Sequence, residues 1–179
     1  MRKRHLMIGV LLLIFALSTA SFGQVHKNQI NIGMKVGYWV GLALSFGGEY
    51  LFYEIPKIGG VVGAGLEMAY SSETITIWGD WKWKYTYIPF MAFGSFHYPI
   101  PSIPKLVPYA KVGLGYVYTA AKETGTADPL WGAYESKSSY VDFFTQLGIR
   151  YAVLPMLWVT ASVGYPLYIG VGADFTINL

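Results

Sequence analysis

Ser95 and His97 lie two residues apart in "GSFHYPIP" and so share one face of any strand that contains them. A serine beside a histidine is the minimum kit of a nucleophile and its general base. Six charged residues form a second group. Lys35, Glu49, Glu67, Lys111, Asp142 and Arg150 each fall on the polar side of a segment whose other side is apolar. Enclosed together, three of each sign would pair, because charge taken from water is costly unless partnered or hydrated. Otherwise some would face water-filled ends of the fold and pair with nothing. The chain contains no cysteine. That excludes disulfides, thiolate metal sites, a cysteine nucleophile and a cysteine-anchored lipoprotein. Metal-ligand spacings, phosphate loops and nucleic-acid patches are also absent from the sequence. No cofactor, metal or nucleic-acid partner is expected.

The elements that must position these residues are two-sided strands. "VGADFTINL" alternates strictly: Val171, Ala173, Phe175, Ile177 and Leu179 against Gly172, Asp174, Thr176 and Asn178. Period two is a strand with two different faces. The same alternation runs through "INIGMKVGY", "SFGGEYLF", "VGAGLEMAY", "AKVGLGYVY", "VDFFTQLGIRY" and "LWVTASVGY". An eighth strand, around "KYTYIPFMAFGSF", carries aromatics on both sides. Its Pro89 cannot donate to a ladder, so a bulge is predicted there. Connections alternate in length: 56–60, 99–105 and 154–155 are short, whereas 71–83 reads as a long loop and 121–139 as a long, polar, glycine-containing one. The hairpins near "WVGLA" and "YPLYIG" are short exceptions. No repeat or linker divides the chain.

The 179 residues are 54% hydrophobic and 17% aromatic, with 21 glycines and only 13% charged, against roughly 25% charged in ordinary domains. The opening residues, 1–23, read as a cleaved signal peptide. Arg2, Lys3 and Arg4 precede an apolar run from Leu6 to Leu17, and small residues follow. That run is short for a membrane span, which needs about 20 residues. Without those three cations Lys+Arg falls from 13 to 10 and equals Asp+Glu at 10. The mature chain, 24–179, is then formally neutral, and its basic balance implies nothing about nucleic acid.

The two faces decide what the strands meet. One carries aliphatics ending in tyrosine; the other carries glycine, small polar residues and single charges. A soluble lipocalin-like carrier would put the apolar face inside and the charges outside. Here the charged face is too glycine-rich and too sparsely charged to be a solvated exterior. Turned inward, it can fill a narrow lumen, with Phe144 and Leu51 adding bulk. Turned outward, the aliphatic band meets lipid, where only helices and closed barrels satisfy every backbone group. Trp39, Trp78, Trp81, Trp83, Trp131 and Trp158 are expected in interfacial girdles with the strand-end tyrosines.

The segments "PYAKVGLGYVY", "QLGIRYAV" and the ending "GVGADFTINL" resemble the small eight-stranded outer-membrane β-barrels, such as the OmpA transmembrane domain and OmpX. The resemblance spans about Ile30 to Leu179. It implies an all-β, eight-stranded, antiparallel up-and-down transmembrane barrel in a bacterial outer membrane. It also implies contact with outer-membrane lipid, and with the barrel-assembly machinery through the C-terminal strand. In that family the last strand usually closes on an aromatic residue; here it closes on Leu179. A structural or surface role follows, with an extracellular partner through 71–83 and 121–139 and a lumen filled rather than open. The other readings are an outer-membrane lipid-modifying barrel enzyme and the secreted carrier. Lipid A deacylases on barrels of similar size present histidine before serine, with a separate glutamate. The order Ser95, His97 reverses that, and His97 is expected as a strand-end histidine near the membrane interface.

Overall fold

In the computed structural model, residues 24–79, 81–124, 134–165, 167 and 169–179 are described. They form eight strands and no helix: β1 (Gln29–Trp39), β2 (Gly41–Ile55), β3 (Gly60–Trp78), β4 (Trp81–His97), β5 (Leu106–Glu123), β6 (Glu135–Leu154), β7 (Leu157–Tyr165) and β8 (Ile169–Asn178). Each pairs antiparallel with its neighbour, and β8 pairs with β1, from Gln29 opposite Asn178 to Tyr38 opposite Ile169. The ring therefore closes as an up-and-down barrel with no free edge through its middle. Residues 1–23, expected as a signal peptide, lie outside the described residues.

Alternation sets the faces. Leu42, Leu66 and Phe143 are among the most exposed residues, at 72%, 68% and 74%. Their neighbours Ala43, Glu67 and Phe144 are buried. Exposed aromatics ring the apolar band, with Tyr38, Tyr70 and Tyr116 toward one end and Tyr50, Phe52 and Tyr151 toward the other. Two of the tryptophans expected in these girdles are not there. Trp39 and Trp158 point inward and are almost wholly buried. A ring is large enough to stopper a narrow barrel, and both fill its ends. The Trp78 side chain and Trp131 lie outside the described residues, and Trp81 is exposed. Tyr165 also leaves the outer face that alternation assigns it, packing edge-on against Trp39 at 5.5 Å. Gly164 just before it has φ +139°, a conformation that L side chains rarely adopt and that breaks the regular pleat.

No bulge forms at Pro89. The β4–β5 register runs unbroken through Pro89 opposite Val117. On its other side the pairing lapses between Met68–Phe90 and Ser71–Tyr87 and resumes in the same register. A missing N–H removes a ladder bond without requiring an extra residue. The register shifts fall instead near strand ends, at Leu51/Tyr53, Thr76/Trp78 and Ala152/Leu154.

The expected long loops are also largely strand. Residues 71–78 and 81–83 continue β3 and β4, ending with Trp78 opposite Trp81. Residues 121–123 and 135–139 continue β5 and β6, with Lys122 opposite Glu135; the connection at 125–133 lies outside the described residues. Thr74, Ile75, Thr76 and Ile77 have strong strand preference. Their polarity reads as loop only if every strand must meet lipid. Pairing in the β2–β3 ladder ends at Ala43 opposite Ser71, and in the β6–β7 ladder it starts at Thr145 opposite Tyr165. β3 to β6 therefore rise as a four-stranded sheet beyond the closed ring.

Candidate functional site: a charged belt across the lumen

The interior is layered. Near the short turns Val25, Leu51, Val61, Val107, Ala152 and Trp158 form an apolar floor. Ala69, Met91, Phe93 and Phe144 form a second cluster, and Trp39, Ala43, Val117 and Leu167 a third near the long hairpins. Between floor and second cluster runs a polar belt. The Arg150 guanidinium lies 4.8 Å from the Trp158 ring, and Lys111 Nζ lies 4.3 Å from the Phe93 ring. The aromatic layers thus cover the belt from both sides.

The belt has two halves. In one, Glu67 receives Lys35 Nζ at 2.7 Å and Lys111 Nζ at 3.8 Å; Lys35 also donates to Gln146 Oε1 at 2.9 Å. In the other, Arg150 Nη1 lies 3.6 Å from Glu49, and Arg150 Nε lies 3.2 Å from Asp174. Arg150 Nη2 donates to Asn31 Oδ1 at 3.1 Å and to Thr176 Oγ1 at 3.3 Å. Glu49 also receives the Asn31 amide at 2.9 Å and faces His97 Nε2 at 3.1 Å. Lys35, Lys111 and Arg150 balance Glu49, Glu67 and Asp174, so the belt is neutral apart from any proton on His97. These contacts join β1, β2, β3, β4, β5, β6 and β8 across the lumen, so the belt ties sequence-distant strands together.

Five of the six charges singled out by sequence meet here: Lys35, Glu49, Glu67, Lys111 and Arg150. Asp142 does not. It lies opposite Gly115, four residues along β6 from Gln146, or about 13 Å up the strand. Its carboxylate accepts the N–H of Phe143 at 2.8 Å, and among the described residues it makes no ion pair. Alternation gives the face of a side chain but not its height. Asp174 takes the place expected for Asp142. It was legible on the polar side of the last strand beside Gly172 and Thr176. The missing side chain of Gly33 makes room for it, since a Cβ on that glycine, its Cα partner on β1, would overlap the Asp174 carboxylate.

His97 is a belt member and not an interfacial residue. It is fully buried, faces Glu49 and stacks on Tyr109 at 5.5 Å. The Ser95 hydroxyl makes no hydrogen bond among the described residues. Serine and histidine share a face without meeting as nucleophile and base. Beside the belt lies a partly open cavity of about 20 Å³, lined by Asn31, Lys35, Glu49, Glu67, Lys111 and Asp174 together with glycines of β1 and β2. Such a volume is room for about one water. The described residues hold no cluster suited to a metal ion.

Eight strands closed in a ring, an apolar exterior with aromatic borders and a charged interior define a transmembrane β-barrel. The chain belongs to the outer membrane protein beta-barrel domain family, whose model matches residues 9–178. It is a bacterial outer-membrane protein. Three solved structures share the fold at low identity. A major outer membrane protein from Thermus thermophilus is 12% identical, with 85% of this chain and 100% of that one covered at a TM-score of 0.57. Ail, the attachment invasion locus protein of Yersinia pestis, is 12% identical over 85% and 100%, at 0.54. The N-terminal barrel of Pseudomonas aeruginosa OprF is 14% identical over 84% and 98%, at 0.51. No curated protein matches the sequence.

Proposed function

We propose that this is a sealed outer-membrane barrel whose work is done at the cell surface rather than through its lumen. The observation that carries this reading is the filled interior, in which three apolar clusters and the charged belt occupy the lumen and the cavity among the belt side chains measures about 20 Å³. Eight strands enclose a space just wide enough for side chains, so such a plug suits the fold. The long-hairpin end is the extracellular one, because bacterial barrels turn tightly on the periplasmic side. The hairpins covering 71–83 and 121–139 are the surface offered to an extracellular partner. Ail, a fold neighbour, is named for attachment and invasion, which supports a surface role in kind.

Residues 1–23 act as the exported chain's signal peptide and are removed. β8 presents Val171, Phe175, Ile177 and Leu179 outward as the segment read by the assembly machinery. The lipid-modifying enzyme is the weaker reading, since Ser95 and His97 are buried and apart from each other's hydrogen bonds. The carrier reading is inverted by the apolar exterior. Liposome swelling tests the sealed lumen. Vesicles carrying the folded barrel should take up small sugars no faster than protein-free vesicles, and rapid uptake would overturn the reading.

A further inference from the structure

The outward face of the protruding sheet changes character abruptly. The apolar outer stripe ends at Ile88 on β4, at Tyr118 on β5 and at Val141 on β6. The next outward residues are small and uncharged: Thr86, Ala120 and Ser139. Then, four residues beyond each apolar end, comes a lysine: Lys84, Lys122 and Lys137. Lys82 follows two residues after Lys84. All four are exposed. Four residues of a strand tilted by about 40° rise roughly 10 Å along the membrane normal. Lys84, Lys122 and Lys137 therefore lie at a similar height just above the hydrocarbon, where lipid headgroups begin, with Lys82 about 5 Å further up β4.

Their arrangement is unfavourable in isolation. Lys84 and Lys122 are direct cross-strand partners, and like charges placed opposite each other destabilise a sheet. Among the described residues the acid on this face is Glu135, opposite Lys122 and paired with Lys137 at 2.8 Å. The Lys137 hydrogen bond, with the Lys122 charge behind it, holds the Glu135 carboxyl below its usual range. Four lysines less one glutamate leave a net +3 on one small face. Thr74 lies opposite Lys84 and Thr76 opposite Lys82, adding hydroxyl donors at its border. Among the described residues, the inner face of the same sheet carries Tyr85, Tyr87, Thr119, Ser136, Ser138 and Tyr140 instead, with no lysine.

The geometry points to an anion site for the phosphates of outer-leaflet glycolipid, held by Lys82, Lys84, Lys122 and Lys137 on the lipid-side face of β4–β6. Phosphate headgroups lie at this height and carry the charge that would relieve the Lys84–Lys122 opposition. A soluble anion has no reason to prefer the lipid-side face, whereas a membrane lipid reaches only that face. The bound lipid would anchor the base of the protruding sheet and fix its height above the membrane.

The test is retention of phosphorylated glycolipid. Full-length barrel is placed in nanodiscs with a bis-phosphorylated lipid A-type glycolipid or the same lipid stripped of phosphate, and co-purifying lipid is counted by native mass spectrometry. Lys84→Gln/Lys122→Gln is compared with Lys57→Gln in the turn at the opposite end; unchanged gel mobility before boiling confirms that each variant folds. Near an anionic surface a lysine contributes about five-fold to association, so the double variant should lose roughly 25-fold in retention. Lys57→Gln should lose none. Equal retention of both lipids, equal retention by the double variant, or equal loss in Lys57→Gln would each overturn the site. Binding of inorganic phosphate or a sulfated oligosaccharide in detergent as tight as the glycolipid would overturn its assignment to lipid.

Discussion

Arg150 and Lys137 lie on the same strand and make opposite use of a positive charge. Arg150 is buried, meets Glu49, Asp174, Asn31 and Thr176, and lies against Trp158. Lys137 is exposed and, among the described residues, pairs with Glu135 alone. Within the membrane, a charge must face the lumen and be paired there, because lipid offers neither water nor counterions. Above it, the same strand places lysine on the outward face, since that face now meets headgroups and water. The alternation is thus a rule imposed by the surroundings and changes where they change.

The contrast can be broken at the belt with the largest effect. Arg150→Ala leaves Glu49 and Asp174 without their guanidinium; removing one partner of a buried pair costs about 3–5 kcal/mol. Urea titration of the folded barrel in detergent should show that loss, and a shift under about 1 kcal/mol would mean the belt is not a stabilising unit. Next comes the lipid face. Phe175→Lys places a charge among Ile32 and Leu157, its Cα partners on β1 and β7, and should cost about 2–4 kcal/mol if near mid-bilayer, with less at the terminal Leu179→Lys. Folding yields into vesicles should rank the two in that order. Equal failure of both in cells, with that order kept in vesicles, would show that the strand end is read during assembly.

A finer comparison uses two aspartates on the inner face. Asp174→Asn should destabilise the barrel clearly, because Arg150 loses a partner at 3.2 Å. Asp142→Asn should stay within about 0.5 kcal/mol, the usual range for a substitution away from buried networks. If Asp142→Asn matched Asp174→Asn, the belt would extend further up β6 than its contacts show. The smallest expected effect is on stability above the membrane. An epitope inserted after Gly79, at the tip of the β3–β4 hairpin, should leave the unheated gel mobility unchanged and be reached by antibody on intact cells. A tag reached only after the outer membrane is opened would reverse the orientation.

Much of this was legible in the sequence because lipid enforces a binary choice at every position. Seven of the eight strands, their faces and five belt charges follow from alternation, whereas the closure of β8 on β1 was what the resemblance to small barrels implied. What alternation lacks is height and reach. Asp142 and Asp174 look alike in sequence, both acidic and inward, yet only the register of β6 and β8 separates them. Trp39 and Trp158 looked like girdle residues because strand-end tryptophans commonly are, but a narrow lumen also needs large rings to close its ends. His97 looked interfacial because it sits beside a proline-rich turn. Its inward position on β4 brings it to Glu49 across the lumen. The stretches 71–83 and 135–139 read as loops because no lipid constrains them, although threonine, isoleucine and tryptophan there already favour strand.

The account turns on a lumen blocked by the belt between Trp158 and Phe93. Single-channel recording of the purified monomer in a planar bilayer addresses it directly. No steady current above the bare membrane is predicted across either polarity. A large, ohmic, reproducible conductance from the wild-type monomer would show that water runs through the barrel and that the belt does not seal it.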